Sequence, residues 1–417
     1  MLMNVRAVVL AGLLFSALAA SGQSYPVMFV SSTWGYADLG SWPESGGETG
    51  TAAADMVCQT LATNGNLDNP GNFHAWISDS STDAFCRVLG LVGKKAENCG
   101  QATLPDGGPW LRTDGVPFSG TMQQLTGESM VLAPALIDET GADLWDETAI
   151  SVATGTWEDG TWAVDLDCED WTDGQSGSYA LMVGRRFKTV QDWASNGATT
   201  CNSRVRLLCF EVDTTPTDLP DFEQPGAQVF VTSVRRLGNL GAWPEANGKQ
   251  GLEAGDEICR TLARNAGLSD PNSFVAWLST SAVDARDRLT YPGPWKRLDG
   301  VVVAQDLAGL TDHRLFTSIS VTEKGDYVTG RIWTGTNSSG LAIDDRNCSD
   351  WSLESGWGFL GQANKVDVHW TYYGASGNGC ATDASRLYCF SQVTHVPGEF
   401  SDGFESGDSS AWSSTVH

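Results

Sequence analysis

Apolar residues recur with clear helical spacing in only two stretches of the chain. Positions 57, 58, 61 and 62 fall on one helical face, and positions 258, 259, 262 and 263 do the same. They predict helices over 53–62 and 254–263, each ended shortly afterwards by a glycine, Gly65 and Gly267. Runs rich in β-branched and aromatic residues predict strands at 27–31 and 229–232, at 73–78 and 274–279, and at 206–210 and 386–390. A further short helix is expected near 121–125 and near 303–310. Asp83 and Arg87, like Asp284 and Arg288, have the i,i+4 spacing that lets opposite charges pair on a helical turn. The remainder is glycine, tryptophan and turn residues with short strands. The fold class expected is α+β, with few helices and much loop.

These elements come in two sets because the chain is duplicated. Trp42-Pro43-Glu44 returns as Trp243-Pro244-Glu245, Asp55 as Asp256 and Cys58 as Cys259. Trp110 and Asp114-Gly115 return as Trp295 and Asp299-Gly300, and Cys168 and Trp171 as Cys348 and Trp351. A period near 200 residues is a whole domain, far longer than a solenoid or propeller repeat. The expected organisation is an export signal (1–22), a first domain (25–212), a proline-rich linker (213–227), a second domain (228–392) and an acidic tail (393–417). The signal is read from Arg6, an apolar run over 7–17 and the small-residue stretch Ala17-Leu18-Ala19. It is too short to span a bilayer, and no later segment is long and apolar enough. A secreted protein, extracellular or periplasmic and without a membrane span, is therefore expected.

Charge narrows the choice of partners. The chain has 25 basic and 51 acidic side chains, a net charge of −26. Residues 25–212 carry 9 basic and 25 acidic groups, net −16, whereas residues 228–392 carry 15 and 18, net −3. No Lys or Arg occurs between Thr113 and Gly184. Nucleic acid is excluded as a partner, and heparin is not expected on the first domain, because like charges repel.

The order strand, glycine-rich loop, Ala-x-Asp-x-x-Cys helix, Phe-x-Ala-Trp-x-Ser, Trp-x-x-x-Asp-Gly, Cys-x-x-Trp, Cys, Leu-x-Cys-Phe runs through both copies. It is similar to the endostatin-like branch of the C-type-lectin-like fold, and most like the bacterial form in leptospiral endostatin-like surface proteins. The likeness covers residues 29–211 and 230–391. It implies two domains, each a mixed twisted sheet with about two helices, long irregular loops and nested disulfides. It also implies adhesion or ligand binding rather than catalysis, since those surface proteins bind host matrix and complement components. The chain departs from its relatives by lacking the tripeptides with which calcium-dependent lectins hold sugar, the arginine-rich face of endostatin and its N-terminal histidine cluster.

Ten cysteines on an exported chain suggest disulfides. Four recur in each copy, and four allow three connectivities. The resemblance implies nesting, Cys58–Cys209 around Cys168–Cys201 and Cys259–Cys389 around Cys348–Cys380. The outer pairs also follow if the closing strand of each copy pairs with the opening one, which brings the helix close. The first copy is longer by 16 residues between Arg87 and Trp110 than the second between Arg288 and Trp295. Cys86 and Cys99 lie at and within this insertion and are expected to bridge each other.

Candidate chemistry is sparse. The five histidines do not recur between copies, and neither a Gly-x-Ser-x-Gly elbow nor a His-Glu-x-x-His helix is present. Asp55/Asp256, Asp114/Asp299 and Asp170/Asp350 recur, but read as helix first-turn, turn and disulfide-flanking positions. No catalytic residue and no cofactor is assigned. Asp165, Asp167, Glu169 and Asp170 are a candidate weak calcium cluster, but their spacing gives no full ligand set and the second copy has Arg346 there, so no tight metal site is expected. Trp76/Trp277, Trp110/Trp295 and Trp171/Trp351 match between copies and read as core. Trp34, Trp157, Trp162, Trp193, Trp357 and Trp370 stand in loop-like, non-matching contexts and are candidates for a binding surface. The expectation is a non-enzymatic binding or adhesion protein for an extracellular protein or glycan. A calcium-independent lectin is the first alternative and a secreted hydrolase the second. The less acidic second domain is expected to meet anionic or neutral partners, and the first to act as an acidic spacer or meet a basic one.

Overall fold

The computed structural model describes residues 25–145, 151–220, 222 and 224–395. The residues expected to form an export signal, and the tail beyond His395, lie outside the described residues. The fold is mixed α+β, with two long helices, several mixed sheets and five disulfides.

In the first copy, β1 (Val27–Val30) lies between β8 (Leu208–Glu211), antiparallel, and β3 (Leu111–Arg112), parallel, with β2 (Phe73–Ala75) beyond β8. In the second, β9 (Ala227–Val231) lies between β16 (Tyr388–Phe390) and β11 (Trp295–Arg297), flanked by β10 (Val275–Ala276) and β12 (Val302–Ala304). A second sheet in each copy carries the irregular half. In the first copy it joins β4 (Ser151–Ala153), β5 (Tyr179–Gly184), β6 (Ala198–Thr200) and β7 (Val205–Arg206). In the second it joins β13 (Arg331–Trp333), β14 (Trp357–Gln362) and β15 (Tyr373–Gly379).

The two helices run Gly50–Asn64 and Gly251–Asn265. Each extends beyond its predicted stretch at both ends, because apolar spacing marks the buried stripe and not the solvated turns. The stripe Ala53, Ala54, Val57, Cys58, Leu61 and Ala62 packs with Phe29, Phe73 and Ala75 of the sheet. Cys58 thereby reaches β8 and bonds Cys209, and Cys259 likewise bonds Cys389 of β16. Cys168–Cys201 and Cys348–Cys380 close the irregular halves, Cys86–Cys99 spans the insertion, and every bridge stays within one copy.

Several expectations need correction. Arg87 does not pair with Asp83. It binds Asp55 at 2.6 Å, and Asp55 also accepts the Ala75 N–H at 3.0 Å; Arg288, Asp256 and Ala276 repeat this. Asp55 and Asp256 are sixth in their helices, past the first turn, and tie helix to sheet rather than serve the dipole. Asp83 instead accepts the N–H groups of Lys95 and Trp162 and meets the Lys94 ammonium. The short helix expected near 121–125 is present as a turn of π-helix, Gln124–Glu128, and its counterpart is shorter than expected, Leu307–Thr311, because Val303 belongs to β12. Ala227, placed in the linker, opens β9. The first residues assigned to the tail are held, with His395 pairing Gly226.

The copies touch across a pseudo-twofold junction. Lys188 forms a backbone bridge with Lys365, its own counterpart in the repeat. Around this point Thr189 meets Ser318, Asn364 donates to Asp192 at 2.8 Å, and Thr317 and Arg297 both donate to the Leu132 carbonyl. Arg314 pairs with Asp143 and lies over Trp145. Thr189, Thr317 and Ser318 are fully buried, so these hydroxyls need the partners they have.

Candidate binding faces

The candidate tryptophans separate into two groups. Trp193 and Trp370 are buried, not loop aromatics. Each packs on the recurring core tryptophan of its copy, with centroids 5.0 Å apart for Trp76–Trp193 and 5.2 Å for Trp277–Trp370. They are counterparts of each other: Lys188 and Lys365 both stand five residues before them, a signal present in the sequence. A loop-like composition hid it, because this segment is irregular in backbone yet turns its tryptophan into the core of its own copy.

Trp157 and Trp357 are exposed, at 44% and 52%, and Trp34 is exposed with the Arg204 guanidinium stacked on it. Trp162 is half-buried. Its indole N–H donates to Asp167 at 2.7 Å and the Lys94 ammonium sits over its ring.

The acidic run does structural work beside the Cys168–Cys201 bridge. Asp170 accepts from both the N–H and the hydroxyl of Ser80, and Asp350 repeats this with Ser281. Asp167 accepts from Trp162 and from the Asp170 N–H, and burial raises its pKa above the usual carboxylate range. Asp165, Glu169 and Asp173 line a shallow open cleft against the bridge. Among the described residues no group of three or more His, Cys, Asp or Glu side chains is arranged to hold a metal ion. Asp114 and Asp299 sit in turns and pair with Arg112 and Arg297.

Around the second disulfide the copies share a backbone and differ in side chains. Asp167, Glu169 and Asp173 of the first copy are Asn347, Ser349 and Leu353 in the second, Trp34 is Arg235, and Ala180 is Trp357. Ala37 of the Trp34 loop donates its N–H to the Cys201 carbonyl, and Gly238 of the equivalent loop does so to Cys380, so these loops border the bridges. The second copy adds an aromatic pair that sequence reasoning missed. Tyr372 lies flat on Phe359, with centroids 4.7 Å apart and planes 6° from parallel. Their counterparts are Ser195 and Met182, so no recurrence flagged them.

Among the described residues no helix is long and apolar enough to cross a membrane. The chain matches no known family model and no curated protein.

Proposed function

We propose that this chain is an exported binding protein of two C-type-lectin-like, endostatin-like domains that recognise an extracellular protein or glycan and turn nothing over. One observation carries the reading. Residues that recur in both copies are engaged in holding the fold, and beside the second disulfide the copies keep the backbone and exchange side chains. The recurring aspartates Asp55, Asp114 and Asp170 are all engaged by Arg or Ser partners, which argues against their use as paired catalytic acids. Five disulfides fit an oxidising compartment outside the cytoplasm. The copies contact each other at the junction, so a ligand bridging both faces would lose less entropy than across a free tether. The first face is acidic and suits a basic partner; the second is nearly neutral and aromatic.

The test is a binding screen of the full exported chain against extracellular-matrix proteins and a glycan library, with hydrolysis of each ligand followed in parallel. Saturable binding without product is expected. Product release from any glycan or peptide would replace this reading with that of a hydrolase.

A further inference from the structure

We propose that the outer face of β14 is a carbohydrate site for an acidic sugar, a pyranose bearing a carboxylate; this rests on the reading of the chain as a binding protein. Residues 357, 359 and 361 share that face, because Leu360 pairs with Trp333 and both turn into the core on the other side. The row is covered progressively. A Cβ at Gly361 would lie 1.9 Å from the Trp370 carbonyl oxygen, so chain packs directly on it. Phe359 is covered by the Tyr372 ring, and beyond it Trp357 is 52% exposed. Tyr372, 36% exposed, lies on Phe359, and the exposed Trp357 is two residues along the same strand face, its Cα roughly 7 Å from that of Phe359.

Arg346 supplies the charge. Asn347 bridges Gly358, and the Phe359 N–H donates to the Arg346 carbonyl, so the register puts Arg346 opposite Phe359 on the same face. Among the described residues it has no ion-pair partner and no side-chain hydrogen bond, although it is half-buried. An unpaired guanidinium on the same strand face as two exposed aromatic rings matches a ligand with an apolar C–H face and a carboxylate, which the Arg fork binds bidentately. A purely apolar partner would give the guanidinium no acceptor, and a neutral sugar would offer it hydroxyl acceptors but no countercharge. The first copy has Ala180, Met182, Ser195 and Leu166 at these places and lacks the site.

The experiment titrates the full chain with oligogalacturonate and a sialyl oligosaccharide, with their carboxyl-reduced forms and a neutral glucan as controls, by tryptophan fluorescence and calorimetry. Binding of at least one acidic probe is expected, weakened tenfold or more by Trp357→Ala and by Arg346→Gln, and unchanged by Val92→Ala at an exposed position of the first copy. Near-UV circular dichroism checks that each variant folds. Equal affinity for carboxyl-reduced probes, or binding indifferent to Trp357→Ala and Arg346→Gln, overturns the proposal. Binding to a matrix protein with no response to any acidic sugar sinks this site and leaves the broader reading standing; silence toward both sinks both.

Discussion

At the junction, Lys188 of the first copy has Asp192 four residues on, and their charges meet at 2.6 Å. In the second copy Lys365 has His369 at that place, and the Asp367 carboxylate hydrogen-bonds the histidine. Two equivalent, buried lysines thus face each other across the pseudo-axis, one neutralised and one not. Burial, with the neighbouring Lys188 ammonium second, pushes the Lys365 pKa down to about 8. The duplication kept the scaffold and let each copy lose or gain single partners. Where the copies differ by one side chain in the same setting, the second copy is a control for the first.

The largest expected contrast is between disulfides. Cys58–Cys209 and Cys259–Cys389 span 151 and 130 residues, whereas Cys86–Cys99 spans 13. Loop entropy assigns about 5 kcal/mol to each long bridge and about 3 kcal/mol to the short one. Replacing both cysteines of a long pair with serine should unfold that copy at moderate temperature. The Cys86→Ser/Cys99→Ser variant should lower the melting temperature of the first copy alone and speed proteolysis within the insertion. Calorimetry that showed equal losses for long and short pairs would mean that the insertion is part of the core and not an addition to it.

Much of this was legible in the sequence, and the misses have a common origin. The helices, the opening and closing strands and the paired cysteines could be read because each depends on periodicity or on recurrence. Asp55 and Arg87 were visible as recurring residues, but not as partners, since they lie 32 positions apart and only the folded helix-to-sheet contact joins them. Trp193 and Trp370 were misjudged because irregular backbone does not imply exposure when the side chain turns into the core of its own copy. Phe359, Tyr372 and Arg346 carry no repeat signal: their chemistry is confined to one copy and comes together only through strand register.

The junction gives the next contrast. Lys365 has its folded-state pKa depressed from 10.5 to about 8. The junction is therefore most stable above pH 10.5, weakens as the pH falls toward 8, and changes little from this group below that. The groups facing it are Lys188, Asp192 and Asp367. A protease site placed in the linker of the full chain, then cut, makes association of the two halves measurable by gel filtration. Association at pH 7 should be weaker than at pH 10, by about 2 kcal/mol after allowance for relaxation. Lys365→Met should tighten it at pH 7 and flatten the pH profile. His369→Asp should copy the first-copy arrangement and move the profile upward in pH. A flat profile in the unsubstituted protein would show that the ammonium escapes the junction in solution.

The smallest effect separates the two buried tryptophan pairs. Trp277 donates its indole N–H to the Thr371 hydroxyl at 2.8 Å, whereas the Trp76 indole N–H is buried and meets no acceptor. The cause is one residue: the first copy has Ala194 where the second has Thr371. The settings otherwise agree, with the Thr154 and Thr334 hydroxyls donating to the carbonyls of Ala194 and Thr371 at 2.7 Å. Thr371→Ala leaves the Trp277 indole N–H unpaired, like that of Trp76, and should cost about 1–2 kcal/mol. Ala194→Thr offers Trp76 the missing acceptor, with a gain of about 1 kcal/mol set against crowding, because Ala194 is fully buried. The two melts should therefore move in opposite directions. If Ala194→Thr lowers the melting temperature as much as Thr371→Ala does, the first copy has closed around the smaller side chain, and the unpaired indole belongs to a packing that no longer has room for its partner.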